Sequence, residues 1–327
     1  MFAANSTDAS LFHDPEDFSA ATAEKSSGSW SYIDVGNGGR KGGLRVRLCT
    51  FRTAGGPPAG WPGRIDGDRI VRLDAPDLIA VLAGGEQGSE GQGPAVPVSE
   101  AELLPPVPRP PSVRDFFAFE AHVAAARAGR GAPVPAEWYE FPAFYFSNPA
   151  AIYGPGAQVP YPEGTAMLDY ELEVAAVIGA GGRIAGFTIM NDWSARDIQR
   201  QEMRVGLGPA KAKDFATSLG PVVVTADEFD GSSAVMTARV NGEERSRGEL
   251  ADLYFSWPDI AAQAARNTML RPGEILGSGT VGTGCILEHG DNRWLVPGDT
   301  VELEVTGIGI LRNQVGPRQP AASGAAP

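Results

Sequence analysis

Short segments in which apolar and polar residues alternate recur along most of this chain, and such alternation is typical of β-strands with one buried face. Two of these segments, 44–48 and 69–73, lie in its first quarter. Six more strands are predicted at 172–179, 184–191, 220–225, 235–240, 275–277 and 301–305. With 42 Gly and 27 Pro, turns are frequent enough to separate many short strands. The pattern therefore predicts a chain built mainly from strands.

Helical spacing of apolar residues is found in fewer segments. Helices are expected at 77–82, 112–130 and 257–267. Asp77 is a suitable N-cap for the first helix. Phe116, Phe119 and Val123 give the second its apolar spacing. A few helices among many strands predict an α+β fold that is rich in β-structure.

Changes in composition divide the chain into four parts. Residues 1–43 are rich in Ser, Ala, Asp and Gly and are expected to form a disordered extension. Residues 44–111 are expected to form a small N-terminal α/β module that ends in the Pro-rich linker 105–111. Residues 112–312 are expected to form the main domain, followed by a loose tail at 313–327.

Charge and composition argue against several classes of protein. The 327-residue chain has a net charge of -13 and no visible basic patch, which disfavours nucleic-acid binding. Cys49 and Cys285 are too few for a disulfide framework. No apolar run reaches the roughly 18 residues of a membrane helix, and the N-terminus lacks the pattern of a signal peptide. We therefore expect a cytoplasmic protein without a nucleic-acid or membrane partner.

Four acidic residues lie where a charged side chain is costly. Asp115 is followed by two phenylalanines, and Asp192 follows an apolar strand. Glu171 and Glu173 open another apolar strand with their side chains on one face. Burying such charges is costly unless something compensates them. Because converging carboxylates repel one another, a hard divalent cation bound through oxygen is the natural compensator.

The two glutamates also have an ordinary interpretation. On a strand with one solvated face, Glu171 and Glu173 would simply point to solvent. Two features weigh against this reading. Residues 170–178 are apolar enough for burial on both faces, and Asp192 follows a second apolar strand. The sequence alone leaves both interpretations open.

Further polar residues follow the acids along the chain. Arg196 and Gln199 recur at helical spacing, and Lys213 lies in a loop rich in Gly and Ala. The simplest interpretation of Arg196 by itself is an ordinary ion pair with Asp192 or Asp197.

One of the three histidines, His122, lies close in sequence to the acidic residues. It follows Asp115 by seven residues, about two helical turns, so both side chains are expected to face one cavity. A lone histidine is more often structural than catalytic. Its spacing from the acids is what makes His122 a candidate.

Taken together, these residues resemble the motifs of the fumarylacetoacetate hydrolase family. The matching segments follow the family's order across residues 44–312: Val113-Arg114-Asp115-Phe116 with His122, Tyr170-Glu171-Leu172-Glu173, Asn191-Asp192-Trp193-Ser194-Ala195-Arg196-Asp197-Ile198-Gln199, Lys213 with Thr217, Gly277-Ser278-Gly279-Thr280 and Gly284-Cys285-Ile286-Leu287-Glu288. The run 191–199 is the most specific of them. In one branch of the family a catalytic glutamate follows the histidine by three residues. That position is Ala125 here, which makes the remote Glu288 the candidate partner.

The resemblance implies a fold and a role for each matching residue. The family fold is a mixed β-roll with a smaller N-terminal domain, usually in a homodimer. The implied ligands of Mg²⁺, or alternatively Mn²⁺ or Ca²⁺, are Asp115, Glu171, Glu173 and Asp192. The implied catalytic residues are the general base His122, the Glu288 that orients it, and Lys213. The implied substrate-binding residues are Tyr145, Arg196, Gln199 and Thr280.

An activity follows from the same resemblance. We expect a Mg²⁺-dependent hydrolase that cleaves a C–C bond of a β-diketone or acylpyruvate-type 2-oxo acid, a small-molecule substrate. The alternative is a 2-oxo acid lyase or decarboxylase, a hydratase or an isomerase on the same metal site. A non-catalytic binding protein is the third reading. Phe117 stands where some members have a tyrosine, which argues against fumarylacetoacetate itself as the substrate.

Overall fold

The computed structural model describes residues 47–84, 95–129 and 131–318. All of these residues belong to one unit of the chain, Lys41–Pro327. The expected extension at 1–43 and residues 319–327 of the expected tail lie outside the described residues, and both expectations stay predictions.

The fold is β-rich, as the sequence predicted. In chain order the strands are β1 (Arg47–Arg52), β2 (Trp61–Asp66), β3 (Arg69–Arg72), β4 (Val96–Pro97), β5 (Glu102–Leu104), β6 (Val113–Phe116), β7 (Phe144–Ser147), β8 (Ile152–Tyr153), β9 (Gln158–Tyr161), β10 (Leu168–Asp169), β11 (Leu172–Ile178), β12 (Ile184–Asp192), β13 (Ser194–Ala195), β14 (Thr217–Thr225), β15 (Val235–Val240), β16 (Glu243–Glu249), β17 (Ile275–Gly277), β18 (Thr300–Val305) and β19 (Gly309–Arg318). β19 extends past the expected domain end at 312.

A mixed sheet of 12 strands forms the centre of the fold. Its order is β4-β3-β2-β1-β14-β12-β11-β17-β6-β7, with β5 paired to β1 and β8 to β14. A second sheet of five strands has the order β16-β15-β18-β19-β9, and β10 pairs with β13 alone. The N-terminal strands belong to the main sheet, because β1 pairs with β14. The proposed domain boundary at 111 stays a prediction.

Strand β11 is buried along its whole length. Val174 and Ala176 on one face pack into one apolar core, and Ala175 and Val177 on the other face pack into a second. Strands β12 and β17 pair with its two edges. A side chain on either face of β11 is therefore removed from water, which explains its continuous apolar sequence.

The helices are short and lie between the strands. They are α1 (Leu78–Gly84), α2 (Glu120–Ala128), α3 (Arg196–Val205), α4 (Trp257–Ala265) and α5 (Ile286–His289). Asp77 accepts a hydrogen bond from the Ala80 N–H at 2.9 Å, as its predicted role as N-cap requires. None of the helices in the described part of the chain has the length and apolar character needed to cross a membrane.

The helix expected over 112–130 was wrong in its first part. Residues Val113–Phe116 form β6, which is buried throughout and pairs with β17 and β7. The helix begins only at Glu120. Sheet partners distant in sequence therefore decided the local structure, and the spacing of Phe116 and Phe119 did not.

Candidate metal centre and active site

Three strands of the main sheet bring the four acidic residues together. Asp115 lies on β6, Glu173 lies on β11 with Glu171 just before that strand, and Asp192 ends β12. Strands β11 and β12 are neighbours, and β17 lies between β11 and β6. Each of the four is at most 4% exposed. The solvent-facing interpretation of the glutamates is therefore wrong, because both side chains are buried.

The four carboxylates converge on one point. Each offers an oxygen atom, and these atoms all lie within 4.8 Å of one another. Three buried oxygens, Asp115 Oδ1, Glu173 Oε2 and Asp192 Oδ1, have no hydrogen-bond partner among the described residues. Unpaired buried oxygens of this kind are the donor set that a hard divalent cation takes. The arrangement fits such a cation, and the ligand assignment itself stays a prediction.

A glycine on β17 leaves room for two of these carboxylates. Gly277 lies opposite Asp115 in the parallel pairing of β17 with β6. A Cβ atom at this position would lie 2.6 Å from Asp115 Oδ1 and 3.0 Å from Glu173 Oε2. Both oxygens would clash with any larger residue, so the glycine keeps this corner of the cluster open.

Burial and mutual repulsion disfavour the charged forms of Asp115 and Glu173. Burial, together with the charge of Asp192, raises the pKa of Asp115 well above its usual range. Burial and the charge of Asp115 do the same to the pKa of Glu173. A bound cation would favour the deprotonated carboxylates instead, so cation binding and proton release are expected to be coupled.

Lys213 neutralises the other side of the cluster. Its ammonium donates hydrogen bonds to Glu171 Oε2 at 2.5 Å and to Asp192 Oδ2. Burial alone would lower the pKa of Lys213, but the charges of Asp192 and Glu171 raise it above its usual value. The hydroxyl of Tyr145 donates to the same Asp192 oxygen at 2.5 Å. Burial and the Asp192 charge raise the pKa of Tyr145, so its hydroxyl stays a donor.

Arg196, the first residue of α3, is almost fully buried and donates hydrogen bonds to three side chains. Its Nη2 donates to Glu171 Oε1 at 2.7 Å, and its Nη1 donates to Gln199 Oε1 at 3.1 Å. Its Nε donates to Asp169 at 2.8 Å. The simple ion pair of Arg196 with Asp192 or Asp197 was therefore wrong.

The sequence analysis missed Asp169. This carboxylate is fully buried and binds both Arg196 and the start of α5. A signal was present, because Asp169 precedes Glu171 by two residues and is a third acid in the same apolar segment.

His122 and Glu288 meet although 166 residues separate them. The Nδ1 atom of His122, on α2, is hydrogen-bonded to Glu288 Oε1, on α5. Glu288 Oε2 accepts the Thr283 N–H at 2.5 Å, and the Cys285 thiol lies 3.7 Å from Oε1. His122, Cys285 and Glu288 also have potential metal-binding atoms within 4.8 Å of one another. Because Glu288 is already hydrogen-bonded to His122 Nδ1 and Thr283 N–H, we interpret the group as an oriented histidine and not as a metal site.

One cavity of about 230 Å³ contains most of the predicted site residues. Nine of them line it: Asp115, His122, Tyr145, Glu171, Glu173, Arg196, Gln199, Lys213 and Thr280. The other two, Asp192 and Glu288, lie behind this lining and bind Lys213 and His122. His122 and Asp115 thus share a cavity as expected, although they lie on a helix and a strand.

The remaining lining is mostly apolar. It includes Phe116, Phe117, Ala126, Phe144, Met203, Pro209 and Leu287, together with Arg127. Thr280 contributes a hydroxyl 3.4 Å from Glu173 Oε1. The cavity therefore has a charged end at the carboxylates and an apolar end near Phe117, which suits an acid with an apolar or extended chain.

The chain matches a known family over most of the described residues. The sequence model described as fumarylacetoacetate (FAA) hydrolase C-terminal matches residues 112–316. Oxaloacetate tautomerase YisK of Bacillus subtilis is 31% identical over 234 residues, which cover 67% of this chain and 74% of that protein. The human mitochondrial oxaloacetate tautomerase FAHD2A is 29% identical over 72% of this chain and 76% of its own.

Solved structures show the same architecture. A fumarylacetoacetate hydrolase from Exiguobacterium antarcticum has a TM-score of 0.68 and 26% identity, covering 84% of this chain and 100% of that one. A 5-carboxymethyl-2-hydroxymuconate delta-isomerase from Mycobacterium smegmatis has a TM-score of 0.65 and 26% identity, covering 83% and 100%. A maleylpyruvate hydrolase from Sphingobium, in complex with manganese(II) and pyruvate, has a TM-score of 0.61 at 22% identity, covering 84% and 100%, and shows the fold alone.

Proposed function

The chain belongs to the fumarylacetoacetate hydrolase family, and from this premise we propose that it is a Mg²⁺-dependent hydrolase that cleaves a C–C bond of a β-diketone or acylpyruvate-type 2-oxo acid. The observation that carries the proposal is the Glu288-oriented His122, which lines the same cavity as the carboxylate cluster. Hydrolysis of this kind needs a base that activates water and a cation that polarises the neighbouring carbonyl, and both must lie in one cavity.

The residues of the cluster suit a cation that prefers oxygen ligands. Asp115, Glu171, Glu173 and Asp192 would hold it, and Mg²⁺ is proposed ahead of Mn²⁺ or Ca²⁺. When bound, the cation supplies a Lewis acid that polarises a carbonyl oxygen of the substrate. The Sphingobium maleylpyruvate hydrolase was crystallised with manganese, which supports a divalent cation in this fold.

His122 acts as the general base. Glu288 accepts a hydrogen bond from the Nδ1–H of His122. This hydrogen bond fixes the tautomer in which Nε2 is free to take up a proton. His122 takes a proton from water, and the resulting hydroxide adds to the acyl carbonyl carbon. The bond from that carbon to the methylene then breaks, and its electron pair leaves with the methylene as the enolate of the 2-oxo acid. The protonated His122 returns its proton to the enolate carbon, which restores the base and gives a carboxylic acid and a 2-oxo acid.

Other residues bind the substrate and offset the charge that develops on it. Lys213 and Arg196 bring positive charge to the cavity wall, where it would stabilise an oxyanion. Tyr145, Gln199 and Thr280 line the same wall and supply hydrogen bonds that orient the acid.

The names of the sequence relatives favour a second candidate, a 2-oxo acid tautomerase. On the same site, His122 would remove a proton from the methylene carbon, and a proton would be delivered to the carbonyl oxygen. A C–H bond breaks and an O–H bond forms, so the keto form becomes the enol without cleavage of a carbon–carbon bond. A homodimer, a cytoplasmic location and the absence of nucleic-acid and membrane partners remain part of the proposal.

Acetylpyruvate with Mg²⁺ separates the two candidates. Hydrolysis gives acetate and pyruvate in equal amounts, whereas tautomerisation changes the enol absorbance and leaves the carbon skeleton intact. EDTA should abolish either reaction. Enol turnover without acetate release would reject the hydrolase and favour the tautomerase.

His122→Gln tests the proposed base. We expect kcat to fall by about 10²- to 10⁴-fold, with Mg²⁺ binding by calorimetry unchanged. His13→Gln, outside the described residues, is the histidine control and should keep full activity. If His122→Gln lost Mg²⁺ binding in parallel with activity, a structural or ligand role for His122 would replace the proposed one.

A further inference from the structure

Asp169 lies between the two halves of the active site. Its strand β10 pairs with β13, and β13 leads directly into Arg196 at the start of α3. This pairing sets Asp169 opposite Ser194 and next to the guanidinium of Arg196. On its other side lies the first turn of α5, which carries Glu288.

Within the described residues, every hydrogen-bond partner of the Asp169 carboxylate is a donor. Oδ1 accepts the Ile286 N–H at 2.7 Å. Oδ2 accepts the Leu287 N–H at 3.1 Å and Arg196 Nε–H at 2.8 Å. An asparagine has one acceptor oxygen, so its NH₂ group would face donor to donor either the Ile286 N–H or both the Leu287 N–H and Arg196 Nε–H. Only a carboxylate accepts from all three donors at once.

Each side of Asp169 leads to a different part of the proposed chemistry. Arg196 continues to Glu171 of the carboxylate cluster, at 2.7 Å. On the other side, α5 continues through Glu288 to the Nδ1 atom of His122. Hydrogen bonds and the backbone of α5 thus join His122 to the carboxylate cluster through one buried side chain.

We propose that Asp169 is a positioning residue that holds α5, and with it the Glu288–His122 pair, in register with Arg196 and the carboxylate cluster. The expected loss of activity on changing Asp169 rests on the proposed function. The expected loss of the His122 orientation does not depend on it. Asp169 touches neither substrate nor cation in this scheme. Its effect is on distance and orientation, to which proton transfer is steeply sensitive.

Asp169→Asn is the main test, and Asp197→Asn is its matched control. Asp197 is the next residue after Arg196, and it also accepts hydrogen bonds from donors, namely Thr165 Oγ1, Ala166 N–H and Ile198 N–H. It does not contact α5 among the described residues. We expect Asp169→Asn to lower kcat about a hundredfold, with KM and the Mg²⁺ dissociation constant near those of the wild type. Asp197→Asn should change none of the three.

A second readout does not depend on turnover. The hydrogen-bonded Nδ1–H of His122 should give a slowly exchanging ¹H–¹⁵N signal, assigned by its loss in His122→Gln. Asp169→Asn should broaden or abolish this signal, and Asp197→Asn should keep it. An unchanged His122 signal in folded Asp169→Asn would overturn the proposal. If the wild-type protein lacks hydrolase activity but Asp169→Asn still loses the His122 signal, only the proposed function is overturned.

If Asp169→Asn does not fold, two substitutions of Ile286 test the proposed role of Asp169 instead. Ile286 is the first residue of α5, a position where proline is tolerated, and the extended Cys285 before it suits a following proline. Ile286→Pro removes the N–H that Asp169 accepts, whereas Ile286→Ala removes the buried side chain and keeps that N–H. Loss of the His122 signal in the proline variant alone supports the proposal, and equal signals in both variants contradict it.

Discussion

Glu171 and Glu173 lie two residues apart, one just before strand β11 and one on it, yet their environments are opposite. Burial alone would raise the pKa of Glu171, but the charges of Lys213 and Arg196 hold it well below its usual range. The pKa of Glu173 is raised well above its usual range by burial and by the charge of Asp115. Both oxygens of Glu171 are hydrogen-bonded, whereas Glu173 Oε2 has no partner among the described residues.

The difference divides the cluster into two halves. The Lys213 half contains Glu171, Lys213 and Arg196, and the chain neutralises it internally. The Asp115 half contains Asp115 and Glu173, and its charge needs compensation from outside the chain. Asp192 belongs to both, since Lys213 and Tyr145 bind its Oδ2, whereas its Oδ1 has no hydrogen-bond partner in the described part of the chain. The chain thus supplies its own positive charge on the Lys213 half, and the proposed cation would compensate the Asp115 half.

Removal of Lys213 should break this division most strongly. Lys213→Met leaves Glu171 and Asp192 buried without their shared counter-charge, and losing one partner of a buried ion pair typically costs about 3–5 kcal/mol of unfolding free energy. Urea unfolding of the metal-free protein measures this loss. Lys211→Met is the control, because Lys211 pairs with Asp214 at the surface with its side chain 77% exposed. Similar behaviour of the two variants would mean that Lys213 does not neutralise the cluster.

The four acids could be identified from the sequence because each has apolar neighbours along the chain, and such neighbours are visible without the fold. It could not distinguish Glu171 from Glu173, because the difference depends on Lys213, which lies 42 residues from Glu171. Strand spacing places both glutamates on one face, and only the folded chain decides which of them a lysine reaches.

The same limit explains the errors. Val113–Phe116 has apolar spacing that suits a helix, but its pairing with β17 and β7 makes it a strand. Asp169 resembles an ordinary strand residue until α5 and Arg196 pack against it. Strand positions such as Val235–Val240 were predicted well, because alternation alone specifies them.

A pair of isosteric substitutions tests the division directly. Glu171→Gln should destabilise the metal-free protein by about 1–3 kcal/mol, because Arg196 and Lys213 lose a charged acceptor. Glu173→Gln should leave it unchanged or more stable, because it removes a poorly compensated buried acid. Both variants should bind Mg²⁺ more weakly. Glu243→Gln, in a surface pair with Arg293, serves as the control.

Equal destabilisation by Glu171→Gln and Glu173→Gln would show that both halves are neutralised alike. Unchanged Mg²⁺ affinity in both variants would show that the cluster does not hold the cation. Thermal unfolding with EDTA and with Mg²⁺ measures the two effects on the same samples.

The division of the cluster also predicts a dependence on pH. Since the folded-state pKa values of Asp115 and Glu173 are raised, the metal-free folded protein retains protons that the unfolded chain has released. Its stability should therefore fall as pH rises above the ordinary carboxyl range, by up to about 1.4 kcal/mol per pH unit for each retained proton.

A bound cation removes this penalty. The rise in Tm caused by Mg²⁺ should thus grow between about pH 5 and about pH 8, and calorimetry in buffers of different ionisation enthalpy should detect proton release on binding. The growth should be smaller in Glu173→Gln, which has lost one of the two raised carboxyl groups, and a Tm shift independent of pH would place the cation away from the Asp115 half.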